Sequence, residues 1–301
     1  MTQLAAIETH GLTRLFGQRV ALDHIDLRIE RGEIFGFLGP NGAGKSTTIR
    51  LLLDLIRPTS GTASILGFDC RRQSVAVRRR CGYLPGDLRL YNGLTGQQTI
   101  ELFAGLRDGA VDAAFARTLA GNLELDLTKK ASAYSKGNRQ KLGLLVALLG
   151  RPEVLLLDEP TSGLDPLVQR VVWETLNREA LRGTTVFFSS HVMSEVELTC
   201  QRVGILRQGQ LVAVEPVTAL KGRSRRHVEV SFASPAPEAT IFNIAGTREI
   251  RREPETLEFE VAGEIDPLLK ALAPYHVVDL RTEQATLDEI LLSYYRPEVA
   301  G

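Results

Sequence analysis

The chain has 301 residues, 44% hydrophobic and 24% charged, with Lys+Arg and Asp+Glu both at 36. That length holds one full core plus a small second domain, and the composition is that of an ordinary globular protein, not a disordered or fibrous one. Zero net charge excludes an electrostatic case for nucleic acid or an anionic membrane as the main partner. Cys70, Cys81 and Cys200 are odd in number and lack metal-like spacing, so they read as reduced thiols. The N-terminus has neither the basic nor the apolar region of a signal peptide. The longest apolar runs, such as residues 142–149, fall short of the roughly 20 residues needed to span a bilayer. The expectation is a soluble, cytoplasmic chain in which any membrane span comes from another polypeptide.

Residues 4–31 alternate in the manner of strands, with Gly11, Gly17 and Gly32 marking turns. Phe16 has two readings: core packing, which the residue alone favours, and a flat ring on which a purine can stack. Residues 33–38 form a short apolar run that reads as a buried strand, and 48–53 read as a helix. Between them lies Gly39-Pro40-Asn41-Gly42-Ala43-Gly44-Lys45-Ser46-Thr47, the G-x-x-x-x-G-K-[ST] pattern in its strand–loop–helix setting. Glycines let the backbone wrap an anion with its N–H groups pointing inward. The helix start adds the positive end of its dipole, and Lys45 adds a full charge. The Ser46 hydroxyl is placed to ligate Mg²⁺. Four fixed positions match by chance in roughly one such chain in a hundred, so a nucleotide site is expected.

Pro58-Thr59-Ser60-Gly61 reads as a turn and 62–66 as a strand. Arg71, Arg72 and Arg78-Arg79-Arg80 read as solvated helix faces and are given no site. Across 88–150, Leu102, Phe103, Leu106, Phe115, Leu119, Leu142, Leu145 and their neighbours recur at helical spacings. This predicts a helical insertion between two parts of an α/β core, its last helix following Tyr134-Ser135-Lys136-Gly137-Asn138. Residues 154–159 form a continuous apolar strand ending in Asp158 and Glu159, the pattern of a strand buried on both faces of a parallel sheet. Carboxylates at the C-terminal edge of such a strand lie where ligands bind in open α/β sheets. Residues 184–188 read likewise and run into Ser189-Ser190-His191. Residues 203–207 and 210–214 flank Gly209 as a hairpin, and 221–226 read as a polar linker. Beyond it, residues 228–232, 241–244 and 257–261 alternate as strands, while 268–272 and 285–295 look helical. This predicts a small α+β accessory domain.

Together these residues resemble the nucleotide-binding subunit of an ATP-binding cassette (ABC) transporter across residues 4–220. The implied fold is an α/β P-loop NTPase cassette over 1–222, with a helical subdomain at about 88–150 and the accessory domain over 223–301. Under this resemblance Phe16 is the base-stacking aromatic, and Gly39, Asn41, Gly42, Ala43, Gly44, Lys45, Ser46 and Thr47 hold the phosphates of ATP. Ser46 and Asp158 hold Mg²⁺, Glu159 is the catalytic carboxylate and His191 the switch histidine. Ser135, Lys136, Gly137 and Asn138 stand where the family has its L-S-G-G-Q signature, which acts across a dimer on the partner's ATP. Asp165, alone a turn or N-cap residue, falls on the D-loop. Gly82-Tyr83-Leu84-Pro85 is followed by Gly86, not the family's glutamine, and water or Asp87 is expected to replace that side chain.

The resemblance implies the ATPase subunit of an exporter of the drug- or antibiotic-resistance type. It would work as a homodimer or pseudo-dimer on a separately encoded permease, at the cytoplasmic face of the membrane, with no nucleic acid. The alternatives are a soluble ABC ATPase working on ribosomes or DNA, or an importer ATPase.

Overall fold

A computed structural model describes residues 4–107, 112–222, 226–238 and 243–284. The chain divides into two compact units, Met1–Glu215 and Pro216–Gly301, a division that falls ahead of residue 222 because Pro216 ends a strand and a helix begins at Val217.

The first unit carries two sheets. One is four-stranded in the order β2-β1-β4-β5: β1 (Ile7–Phe16) pairs antiparallel with β2 (Arg19–Ile29) and β4 (Ser60–Ile65), and β5 (Phe68–Asp69) closes the edge. β4 stops at Ile65 because Leu66 turns into the left-handed region at φ 53°. The other sheet has the order β10-β9-β3-β8-β7-β6, from β3 (Ile34–Leu38), β6 (Cys81–Leu84), β7 (Val154–Asp158), β8 (Thr185–Ser190), β9 (Arg202–Arg207) and β10 (Gln210–Pro216). β3, β6, β7, β8 and β9 run parallel. β3, β7 and β8 are buried at every position, as their unbroken apolar runs require. Phe187 lies between Phe35 and Phe37 with ring centroids 6.1 and 5.2 Å away.

Helix α1 (Lys45–Leu52) follows β3, and α2 (Ser74–Arg80) leads into β6. Between β6 and β7 the described residues are mainly helical: α3 (Gly96–Gly105), α4 (Ala113–Asn122) and α5 (Lys136–Leu148). Thr95 and Gln98 close a reciprocal capping box on α3, and Asp112 caps α4. Helices α6 (Pro166–Leu181) and α7 (Met193–Thr199) flank β8 in sequence. Among the described residues no helix is long and apolar enough to cross a membrane. The three thiols are free, and burial pushes those of Cys70 and Cys81 up to about 12.

The second unit begins with α8 (Val217–Gly222) and builds an antiparallel sheet in the order β12-β13-β11-β14 from β11 (Arg226–Phe232), β12 (Thr247–Arg252), β13 (Thr256–Val261) and β14 (Val277–Gln284). With α9 (Asp266–Leu272), β11 and β13 supply its core: Val228, Val230, Phe232, Leu257, Phe259, Val261, Leu268 and Leu272. β12 and β14 were not anticipated. They are the two edges, and Thr-Arg-Glu-Ile-Arg-Arg shows the charged composition that edge strands carry instead of apolar alternation. The strand expected over 241–244 falls partly, and the helix over 285–295 wholly, outside the described residues; so does 223–225 of the expected linker, which α8 and β11 flank.

Gly82 sets the distance between α5 and the parallel sheet. A Cβ there would sit 2.0 Å from the Ala147 carbonyl oxygen and 2.8 Å from Leu155. Gly82→Ala therefore forces α5 outward and is expected to cost about 1–3 kcal/mol, the usual penalty for overpacking. Urea denaturation measures it; a loss below about 0.5 kcal/mol would show that α5 slides freely on β6.

Candidate active site

β3 ends at Leu38 and the chain turns through Gly39–Gly44 into α1. Gly44 takes φ 115°, and a Cβ on it would lie 2.6 Å from the Ala21 carbonyl oxygen, so only glycine fits. It is the N-cap of α1, which has no side-chain cap. The first-turn N–H groups are thus left without a side-chain acceptor, the arrangement in which a helix start receives an anion. Gly42, Gly44, Lys45, Ser46 and Thr47 line a cleft of about 330 Å³, together with Phe16, Arg19, Ala21, Asn41 and Glu159. Ala43 is buried beneath it.

Lys45 is only 5% exposed. Its Nζ donates to the carbonyls of Gly39 (2.6 Å) and Pro40 (3.1 Å) and lies 4.0 Å from Glu159 Oε1. Burial draws its pKa below the ordinary lysine value, and the carboxylates of Glu159 and then Asp158 oppose that pull. Phe16, at the end of β1, is 46% exposed and sits at the cleft, not in the core. The Arg14 guanidinium covers its ring at 4.4 Å while donating to the Arg57 carbonyl at 2.8 Å. This is a cation–π pair with its cation tethered.

Asp158 ends β7 opposite Ser189 of β8. The Ser189 hydroxyl donates to Asp158 Oδ1 at 2.6 Å and accepts the Glu159 N–H at 3.1 Å, so one hydroxyl orients both carboxylate residues. Glu159 adopts φ 50°, a left-handed conformation costing a non-glycine residue roughly 1–2 kcal/mol. That corner turns its side chain out of the sheet into the cleft, where Oε1 lies 3.0 Å from His191 Nδ1. His191 is exposed rather than a core histidine. Gln140, on α5, donates from Nε2 to the carbonyls of Glu159 (2.9 Å) and Pro160 (3.1 Å), bracing the corner from behind.

Two further regions lie outside the cleft lining. Ser135 caps α5, its Oγ accepting the Asn138 N–H at 3.2 Å, and none of residues 135–138 lines the cleft. Lys136 Nζ instead reaches Ser162 Oγ at 3.5 Å, and Gly137 packs so near Gly163 that a Cβ would lie 3.0 Å from its carbonyl oxygen. Asp165 Oδ1 accepts the N–H groups of Leu167 and Val168, so it is the N-cap of α6. Beside Asp158, a Cβ on Gly86 would come within 2.9 Å of Oδ2; the missing side chain makes room for that carboxylate. Asp87 is exposed and pairs with Arg89 at 3.2 Å.

Sequence reasoning missed Arg19, Ala21, Ser189 and Gln140. Two hydroxyls finishing an apolar strand, and a glutamine on the buried face of α5, were the available signals for the last two; an arginine on an exposed strand end carries none. Among the described residues no cluster of three or more His, Cys, Asp or Glu could cage a metal. Ser46 and a nearly buried Asp158 with one oxygen free of Ser189 instead fit Mg²⁺, which takes one or two protein oxygens and completes its shell with phosphate and water.

Residues 22–162 match the ABC transporter family. The daunorubicin resistance ATP-binding protein DrrA3 of Streptomyces coeruleorubidus is 33% identical over 300 residues, covering 95% of this chain and 95% of that one. The probable multidrug ABC transporter ATP-binding protein YbhF of Escherichia coli is 40% identical over 222 residues, covering 72% of this chain, which spans only 38% of YbhF. A solved ATP-binding subunit of an ABC transporter superimposes with a TM-score of 0.67 at 29% identity, over 72% of this chain and 92% of that one. A relative matched along nearly its whole length, a shared fold and a phosphate-cradling loop beside paired carboxylates agree: the chain is an ATP-binding protein of the ABC transporter family.

Proposed function

We propose that the chain is the ATP-hydrolysing subunit of an exporter, pairing with a second cassette around ATP and driving a permease carried on a separate polypeptide at the cytoplasmic face of the membrane. The observation that carries this reading is Glu159, turned by its left-handed backbone into the phosphate cleft and bonded to His191. The similarity to a daunorubicin resistance protein along 95% of both chains supports the export direction.

In this mechanism the purine stacks on the open face of Phe16, and the N–H groups of Gly42 to Thr47 receive the phosphate oxygens. Lys45 exchanges the Gly39 and Pro40 carbonyls for β- and γ-phosphate oxygens. Ser46 and Asp158 would hold Mg²⁺, which when bound would neutralise phosphate charge. Glu159, whose Oε1 faces His191 in the cleft, accepts the proton of the attacking water. His191 donates from Nδ1 to that carboxylate, holding it in place beside the γ-phosphate.

The signature residues lie off their own cleft, which supports a composite site: Ser135 and the amides at the start of α5 meet the ATP held by the other subunit, with Asp165 at the junction. ATP then favours the closed pair and hydrolysis releases it. Glu159→Gln keeps the shape and removes the base. It is expected to bind ATP, lose roughly 100-fold or more in turnover, accumulate as a dimer on size exclusion, and bring down a polytopic membrane protein from solubilised membranes with ATP–Mg²⁺. Normal turnover would assign the base elsewhere, and recovery of ribosomes or DNA-bound proteins alone would replace the exporter reading. Ser135→Arg should retain ATP at its own P-loop and lose hydrolysis; unchanged turnover rules out the composite site.

A further inference from the structure

Behind the catalytic corner lies a buried group that the hydrolysis described above leaves unused. Glu195, in the first turn of α7, is 9% exposed, while Thr161 and Ser190 are both 2% exposed. One carboxylate oxygen of Glu195 accepts a hydrogen bond from the Thr161 hydroxyl and the other accepts one from the Ser190 hydroxyl, the latter at 2.5 Å. Ser190 Oγ in turn accepts the Val192 N–H at 2.9 Å. Among the described residues no basic side chain pairs with Glu195. A carboxylate taken from water without a cation is unfavourable unless hydrogen bonds to the charged form replace its hydration, and here two hydroxyls from two different segments do so.

Those segments are the two that carry the reacting groups. Thr161 follows Glu159 by two residues, and Ser190 immediately precedes His191. The Glu159–His191 contact of 3.0 Å closes the front of the site; the Thr161–Glu195–Ser190 bridge closes its back. A carboxylate suits this bridge because it is an acceptor at both ends, whereas an amide offers one acceptor and one donor. We infer that Glu195 is a positioning residue for ATP hydrolysis: it fixes the Glu159 corner against the His191 loop by gripping Thr161 and Ser190 together. The inference rests on the hydrolytic reading above, and it assigns Glu195 no contact with nucleotide.

The test is steady-state hydrolysis of ATP–Mg²⁺ by the full chain, read beside ATP affinity and melting temperature. Glu195→Gln keeps the shape and turns one acceptor into a donor. Turnover is expected to fall roughly 10- to 100-fold, the scale of a sub-ångström to ångström misplacement, with ATP affinity within about twofold of wild type, because the phosphate loop is untouched. A merely structural role would move melting temperature and affinity along with the rate.

Thr161 gives an independent comparison if Glu195→Gln does not fold. Thr161→Ser retains the hydroxyl and should keep the wild-type rate; Thr161→Val is isosteric without it and should reproduce the slow enzyme. Equal rates in the serine and valine variants, or an undiminished rate in Glu195→Gln, overturn the inference while leaving the ATPase reading intact. A wild-type chain that does not hydrolyse ATP overturns both.

Discussion

The site depends on the parallel pairing of β7 with β8, which sets Asp158 opposite Ser189. A slip of either strand by one residue would part Asp158 from Ser189 and turn each side chain of that strand to the opposite face of the sheet, because side chains alternate along a strand. The same register that buries Leu155, Leu156, Leu157, Phe187 and Phe188 therefore delivers Ser189 Oγ to both Asp158 and the Glu159 amide. Core packing and carboxylate placement are one constraint, not two.

Much of this could be read from residues alone. The P-loop, the Asp158–Glu159 strand end and the run Ser189-Ser190-His191 each join a period to a residue type with a specific chemical use, and each falls at a strand terminus, where backbone geometry is narrowly defined. What could not be read has a common cause. Gln140 bracing the Glu159 carbonyl joins positions 19 apart, and Arg14 over Phe16 depends on how a strand end faces solvent. Neither leaves a periodic trace. The charged edge strand β12 was invisible for a related reason: its backbone pairs with β13 while its side chains face water and carry no core pattern.

Gly86 shows where a family pattern and a particular chain part company. The family's glutamine offers a long polar side chain at this corner, but here the Asp158 carboxylate stands within 2.9 Å of where any Cβ would be. Ser189 holds the opposite carboxylate oxygen, so a side chain at position 86 would displace a carboxylate that is already hydrogen-bonded. The loss of one polar group is coupled to the position of another.

The left-handed backbone of Glu159 has an evolutionary consequence. The conformation is one in which glycine is at ease and glutamate is strained by roughly 1–2 kcal/mol. A drift to glycine at this position would relieve the corner and harden the fold while discarding the carboxylate. Under the mechanism proposed above, stability and turnover pull position 159 in opposite directions, and a survey of variants selected for heat tolerance alone would be drawn toward inactive proteins there.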